Sequence, residues 1–261
     1  MFDFHIHSQV SFDSQSDPLE VCAAAVKRGL KEICFTDHYD ENPDPTGLCY
    51  RFSIEAYNAA YDNLSYPGLR IRRGVEVGLT ADNQDFVRQL LSLRDFDYVI
   101  GSSHFVDGLD PYESRFWEGR TPRASIARYL EATLETVSRQ EEFDVLGHLT
   151  YPSKSPCNPT GQPALYSDHR EVMDEILRVL IAKGKGMEIN TSGVDRVGVF
   201  LPDEAVVRRY HQLGGEIITI GSDAHTPDRV GQYTDRATRL CREVFGYVCT
   251  FENRQPVFHK L

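Results

Sequence analysis

Apolar and polar residues alternate from the first residues of the chain. Phe2, Phe4 and Ile6 take one parity and Asp3, His5 and His7 the other, which predicts a strand with its apolar side chains on one face and the two histidines together on the opposite one. The period then changes. Leu19, Cys22, Ala23, Val26 and Leu30 recur at helical spacing, with Pro18 in the first turn and Gly29 past the end. Glu32–Thr36 predicts a second strand and runs into Asp37-His38. A loop holding Pro43, Pro45 and Gly47 follows, and Ser53 is placed to N-cap a helix over residues 54–64. Leu69–Leu79 predicts a third strand carrying Glu76, 82–93 is amphipathic, and the strand at 96–100 leads into Gly101-Ser102-Ser103-His104. The longest helical pattern opens at Thr121-Pro122 and reaches about Glu141. Phe143–Leu146 then runs into Gly147-His148. The remaining expectations are a helix over 168–183, a strand over 186–190, a helix over 202–213, a strand over 216–220 ending in Gly221-Ser222-Asp223-Ala224-His225, a helix over 229–245, and an apolar segment at 247–251.

Strand and helix patterns thus alternate about seven times, with no repeat in residue identity. This implies parallel strands covered by helices, closed as a barrel or open as a doubly wound sheet. The first strand is not followed by Gly-x-Gly-x-x-Gly, which removes the main support for a dinucleotide-binding sheet and favours the barrel. At 261 residues the chain suits one α/β barrel domain over residues 1–261. In such barrels chemistry sits on loops at the C-terminal ends of the strands.

Composition narrows the function. The chain is 41% hydrophobic and 26% charged, with no apolar run of the length a membrane helix needs and no signal-like leader, so a cytoplasmic protein is expected. Cys22, Cys34, Cys49, Cys157, Cys241 and Cys249 form no Cys-x-x-Cys pair and read as reduced residues. Acidic residues outnumber basic ones 39 to 28, a net charge of −11 that disfavours nucleic acid as a partner. A small anionic substrate stays open, because bound cations reverse a local field.

His5 and His7, two strand residues apart, have Cα atoms roughly 6.6 Å apart, within reach of one metal ion. His38, His104, His148 and the Asp223/His225 pair each follow the end of an apolar run, where a parallel barrel gathers its strand ends. A lone histidine at a strand end is more often simply hydrogen-bonded. Here six of the nine histidines share that placement, together with Glu76, while His169, His211 and His259 lie in polar contexts and read as surface residues.

The order His5-x-His7, Asp13, Asp37-His38, Glu76, His104, Gly147-His148 and Asp223-x-His225 resembles the polymerase-and-histidinol-phosphatase (PHP) superfamily of metal-dependent phosphoesterases. The stretches 33–38, 101–105, 145–149, 188–193, 214–227 and 249–256 resemble its histidinol-phosphatase branch. The resemblance implies a distorted (β/α)7 TIM-like barrel and three divalent ions, of zinc, manganese or iron. His5, His7, Glu76 and Asp223 would bind the first, Glu76, His104 and His148 the second, and Asp13, His38 and His225 the third, with Asp13 standing in a slot that some members fill with histidine and others with a carboxylate. Glu76, Asp223 and His225 are the residues on which catalysis is expected to rest. Three ions bring +6, against −3 from Asp13, Glu76 and Asp223 and −1 from a bridging hydroxide. The net +2 matches a phosphate monoester dianion.

The implied reaction is attack of that hydroxide on a small phosphorylated metabolite, L-histidinol phosphate, giving L-histidinol and inorganic phosphate in histidine biosynthesis. Arg196 and Lys154 are expected to hold the phosphate, and Glu188 is expected to stand behind the ligands. The alternatives are another phosphorylated metabolite, a nucleotide or short oligonucleotide, or a metal-stabilised interaction module that has lost activity. The complete ligand set argues against the last of these.

Overall fold

The computed structural model describes residues 1–41 and 50–261; the expected Pro43, Pro45 and Gly47 loop and Cys49 lie outside the described residues. In chain order the elements are β1 (Phe2–Ile6), α1 (Pro18–Lys27), β2 (Glu32–Phe35), β3 (His38–Tyr39), α2 (Ile54–Tyr61), β4 (Arg70–Gly78), α3 (Gln84–Leu91) and β5 (Tyr98–Ser102). They continue with α4 (Ser114–Trp117), α5 (Pro122–Arg139), β6 (Val145–Leu146), α6 (Arg170–Ala182), β7 (Gly186–Asn190), α7 (Val194–Val197) and α8 (Glu204–Gln212). β8 (Ile218–Gly221), α9 (Thr234–Val244), β9 (Tyr247–Glu252) and β10 (Gln255–Lys260) complete the chain.

Seven parallel strands pair in the order β1-β2-β4-β5-β6-β7-β8, with the two-residue β3 adding to β4. The wall closes where the chain leaves β8. Asp223 N donates to His5 O at 2.7 Å and His7 N to Ala224 O at 2.9 Å, so Asp223 and the first two histidines are held at one level by the closure itself. The expected (β/α)7 barrel is therefore formed. The helix starts follow the cap residues: Asp17, Ser53 and Thr121 accept from Leu19 N, Ala56 N and Ala124 N, and Gly29 takes a positive φ after α1.

Two features depart from the sequence reading. First, β1 is not a simple alternation. Its pairing to β2 shifts register between Asp3 and Ile6, so Ile6 packs with Phe35 and Val21 between barrel and helices, whereas Phe4 packs inside the barrel with Cys34, Tyr98, Ile100 and Val145. His5 and His7 nevertheless converge, with ring centroids 5.1 Å apart. Second, the last long helix begins at Thr234 and not Arg229. Asp3 Oδ2 accepts from Gly231 N at 2.7 Å and Tyr233 takes a positive φ, and together they hold residues 229–233 in a turn.

The C-terminal segment is a hairpin, β9 against β10, turning through Asn253 and Arg254 at positive φ. It plugs the end of the barrel opposite the histidines. Phe251 enters the inner cluster beside Phe4 and Tyr98, and Arg72 ties Glu32 (2.6 Å) to Glu252 (2.8 Å). Each large side chain buried this way contributes about 1.5–3 kcal/mol. Of the described cysteines, Cys22, Cys34, Cys241 and Cys249 are buried and Cys157 is half-buried, all as free thiols. No described helix is long and apolar enough to cross a membrane.

Candidate metal centre

The C-terminal strand ends bring the predicted residues to one place. Glu76, fully buried on β4, is the hub. Its Oε2 lies 3.1 Å from His5 Nε2, 3.5 Å from His7 Nε2 and 3.1 Å from His38 Nδ1, and its Oε1 lies 3.2 Å from His104 Nε2 and 2.9 Å from His148 Nε2. Asp223 Oδ1 stands 3.4 Å from His7 Nε2 and 3.8 Å from His5 Nε2. Farther out, Asp13 Oδ2 is 3.0 Å from His225 Nε2 and 3.5 Å from His38 Nε2. His38 therefore turns one ring nitrogen to Glu76 and the other to Asp13, linking the buried and outer parts.

Glycines make the approach possible at two strand ends. A Cβ at Gly221 would collide with His5 and Glu188, and one at Gly147 with Ser102 and Ile100. Asp223 takes a left-handed φ of 55°, a conformation short polar side chains tolerate, and this turns the chain after β8 so that Asp223 and His225 both face the cluster.

A set of further groups orients the rings. Glu188 Oε1 holds His5 Nδ1 at 2.7 Å while its Oε2 accepts from His148 N at 2.9 Å, Asp40 Oδ2 holds His104 Nδ1 at 2.8 Å, and Ser11 Oγ lies 3.1 Å from His7 Nδ1. His225 Nδ1 is 3.0 Å from the Asp223 carbonyl, and Ser102 Oγ donates to Glu76 Oε1 at 2.6 Å. With Nδ1 of His5, His7, His104 and His225 engaged outward, the other nitrogen of each points at the centre. That is the arrangement of metal-ligating histidines. Asp40, Ser11 and Ser102 were not singled out in the sequence. The His38-x-Asp40 spacing was the one signal available for Asp40.

Whether these residues fit divalent cations is tested by their unmet polar atoms. His5 Nε2, His7 Nε2, His38 Nδ1, His104 Nε2 and Glu76 Oε2 are buried and, despite their short separations, make no aligned hydrogen bond. Buried polar atoms are ordinarily paired. Imidazole and carboxylate donors aimed at common points, in groups such as His5-His7-Asp223, His5-Glu76-His148 and His7-Asp13-His38-His225, suit zinc-like ions. Without metal, part of the cluster holds protons. Burial lowers the pKa of His5, but Glu188, Glu76 and Asp223 outweigh it and hold the imidazole well above its ordinary range; burial likewise opposes, and Glu76 and Asp13 raise, His38 to about 9. Burial also works against the charge on Glu76, yet His5, His38 and His104 keep its carboxyl well below the usual range.

A cavity of about 390 Å³ opens over the cluster, lined in part by His38, His104, His148, Lys154, Asp223 and His225. Lys154 contacts Asp223 Oδ2 directly and donates to Ser192 Oγ at 3.1 Å. Arg196 is exposed on the one-turn α7 and lines an adjoining cavity with Lys154, Ser192 and Arg229. The loop carrying Arg196 is tethered through Asp195, which contacts Arg229 and Tyr233 and accepts from Gln232 Nε2 at 2.9 Å. His169, His211 and His259 lie outside the cluster. His169 and His259 are half-buried, His259 2.7 Å from Thr250 Oγ1 and packed on Phe2, so of the three only His211 is the exposed surface residue expected.

A family model of the PHP domain matches residues 3–192. The chain is 30% identical over 257 residues to the histidinol-phosphatase of Lactococcus lactis subsp. lactis, covering 95% of this chain and 93% of that protein. It is 29% identical over 258 residues to a probable histidinol-phosphatase of Clostridium acetobutylicum, covering 99% and 96%. The crystal structure of histidinol phosphate phosphatase from Lactococcus lactis, complexed with zinc, L-histidinol and phosphate, matches the fold with a TM-score of 0.84 at 26% identity over 98% of both chains.

Proposed function

The chain belongs to the PHP domain family, and from that premise we propose that it hydrolyses L-histidinol phosphate to L-histidinol and phosphate, residues 1–261 acting as one domain. The observation that carries this reading is Glu76, both of whose oxygens face histidine nitrogens contributed by five positions around the barrel. The Lactococcus lactis relatives carry the name of this activity, and one of them binds zinc, histidinol and phosphate. A nucleic-acid substrate is disfavoured by the net charge of −11.

Three divalent ions, of zinc, manganese or iron, fit the donor set: His5, His7, Glu76 and Asp223 would hold one, Glu76, His104 and His148 a second, and Asp13, His38 and His225 a third. When bound, such ions neutralise the phosphate and make water a competent nucleophile at neutral pH. The chain itself does the positioning. Glu188 and Asp40 keep His5 and His104 in one ring orientation, and Lys154, fixed by Asp223 and Ser192, presents a half-buried cation to the cavity over the cluster. Arg196 supplies a second cation from the rim, where its planar fork suits two phosphate oxygens. The decisive comparison is kcat/KM for histidinol phosphate against nucleotides and sugar phosphates with zinc- or manganese-loaded protein. Histidinol phosphate should lead by a wide margin, and equal rates across the set would refute the substrate assignment.

Two further outcomes are expected. Arg196→Ala should lower kcat/KM by about 10- to 150-fold, the loss of one charge-assisted contact, with metal content unchanged; a wild-type kcat/KM in that variant would remove Arg196 from phosphate binding. The second concerns pH. Because His5, His38 and His104 have raised pKa values in the metal-free protein, with His38 at about 9, they carry protons at pH 7 that ions must displace. Zinc affinity should therefore climb as pH rises toward 9, and binding at pH 7 should release protons. Calorimetry in two buffers of different ionisation enthalpy reads this directly, and identical heats in both would contradict it.

A further inference from the structure

Four carboxylates line the cavity over the cluster, and three are engaged: Asp13 with His38 and His225, Asp40 with His104, and Asp223 with Lys154. Asp110, on the loop between β5 and α4, stands apart from them. Its Oδ1 accepts from Tyr112 N at 2.8 Å and from the Tyr151 hydroxyl at 3.4 Å. Among the described residues its Oδ2 receives no hydrogen bond, and no lysine, arginine or histidine side chain forms an ion pair with it. Burial raises the Asp110 carboxyl above its ordinary range, against the pull of the Tyr112 N–H and His104. A negative charge placed in a cavity wall without a cation is costly unless a ligand supplies one.

Aromatic rings surround that carboxylate. Tyr112 and Tyr151 stack at 5.1 Å between centroids, and Tyr50 and Phe105 lie 5.9 Å apart on the same cavity wall. The cavity thus carries both signs of charge: Lys154, 5.5 Å from the centroid of the Tyr151 ring, lines both it and the Arg196 cavity, and Asp110 adds an acid beside aromatic faces on its wall. Aromatic faces and a carboxylate together favour a flat, cationic group.

We propose that Asp110 is a specificity-determining residue: its Oδ2 takes the ammonium group of the substrate's alcohol portion, while Tyr50, Phe105 and Tyr112 enclose the planar part. This rests on the phosphomonoesterase reading and deepens it. The site selects phosphate esters whose leaving alcohol is a cation, and a neutral alcohol leaves the half-buried Asp110 without a cation.

The test uses the metal-loaded protein and two esters of one skeleton, L-histidinol phosphate and its des-amino analogue, 3-(imidazol-4-yl)propyl phosphate. The wild type should favour the ammonium ester by about 10- to 100-fold in kcat/KM, and Asp110→Asn, which keeps an acceptor for Tyr112 and Tyr151, should collapse that ratio toward one. L-Histidinol binding measured by calorimetry should weaken in parallel. A variant that loses activity equally on both esters, with the ratio kept, overturns the proposal. So does a wild type indifferent to the ammonium, and in that case the phosphatase reading still stands. A wild type that hydrolyses neither ester but does cleave nucleotides or sugar phosphates removes the substrate reading, and this inference with it.

Discussion

Glu76→Ala should lower kcat by several orders of magnitude and strip metal from the protein, because the side chain serves both halves of the buried cluster. Its Oε2 faces His5, His7 and His38, its Oε1 faces His104 and His148, and Ser102 fixes the carboxylate at 2.6 Å. Removing it takes away the carboxylate that raises the pKa values of His5, His38 and His104, and leaves buried rings with no shared anionic ligand to offset the charge of the ions. Glu76→Gln separates charge from volume: it fills the same space, and should fold, yet should also lose activity. The measurement is steady-state turnover beside elemental analysis of bound metal. Turnover near wild type in either variant would end the assignment of Glu76 as the shared ligand.

Chelating the divalent ions should abolish turnover and lower Tm while leaving the barrel folded. Ions that bind only the native chain stabilise it by RT ln(1 + [L]/Kd), about 2.7 kcal/mol at a hundredfold excess over Kd. For a chain of this size that corresponds to roughly 5–10 °C in Tm. The fold should persist because protonated His5, His38 and His104 pair with Glu76, Asp13 and Asp40 when ions are gone, compensating part of the lost charge. That substitute weakens as pH rises through the His38 value of about 9, so the gap in Tm between loaded and stripped protein should widen in the alkaline range. Full activity after exhaustive chelation, or a Tm indifferent to added zinc, would contradict a metal-dependent centre.

Much of this architecture is legible in one dimension. Side-chain period separates strand from helix at residues 2–6, 32–36, 143–146 and 186–190, and the cap residues Asp17, Ser53 and Thr121 stand where the helices begin. His38, His104, His148 and His225 are readable as a set because each follows a strand, and a parallel barrel gathers every such end on one rim. Local pattern was less reliable where a distant residue intervenes. Asp3, at the other end of the chain, takes the Gly231 N–H and delays the last helix.

The sequence by itself determined the alternation of elements, the side of the barrel on which chemistry collects, and the donor types found there, because all three depend on neighbours within a few residues. Only the tertiary structure decided which atoms meet. The register shift in β1 sends Phe4 into the barrel and Ile6 to the helices, and the hairpin of β9 and β10 seals the far end. Glu188 reaches His5 across 183 residues of chain, Asp40 reaches His104 across 64, and among the described residues no donor reaches the second oxygen of Asp110. The physical reason is that strand pairing and barrel closure fix the relative height and rotation of each strand end. A shift of one residue would turn each of these side chains to the opposite face, and local spacing carries no record of that register.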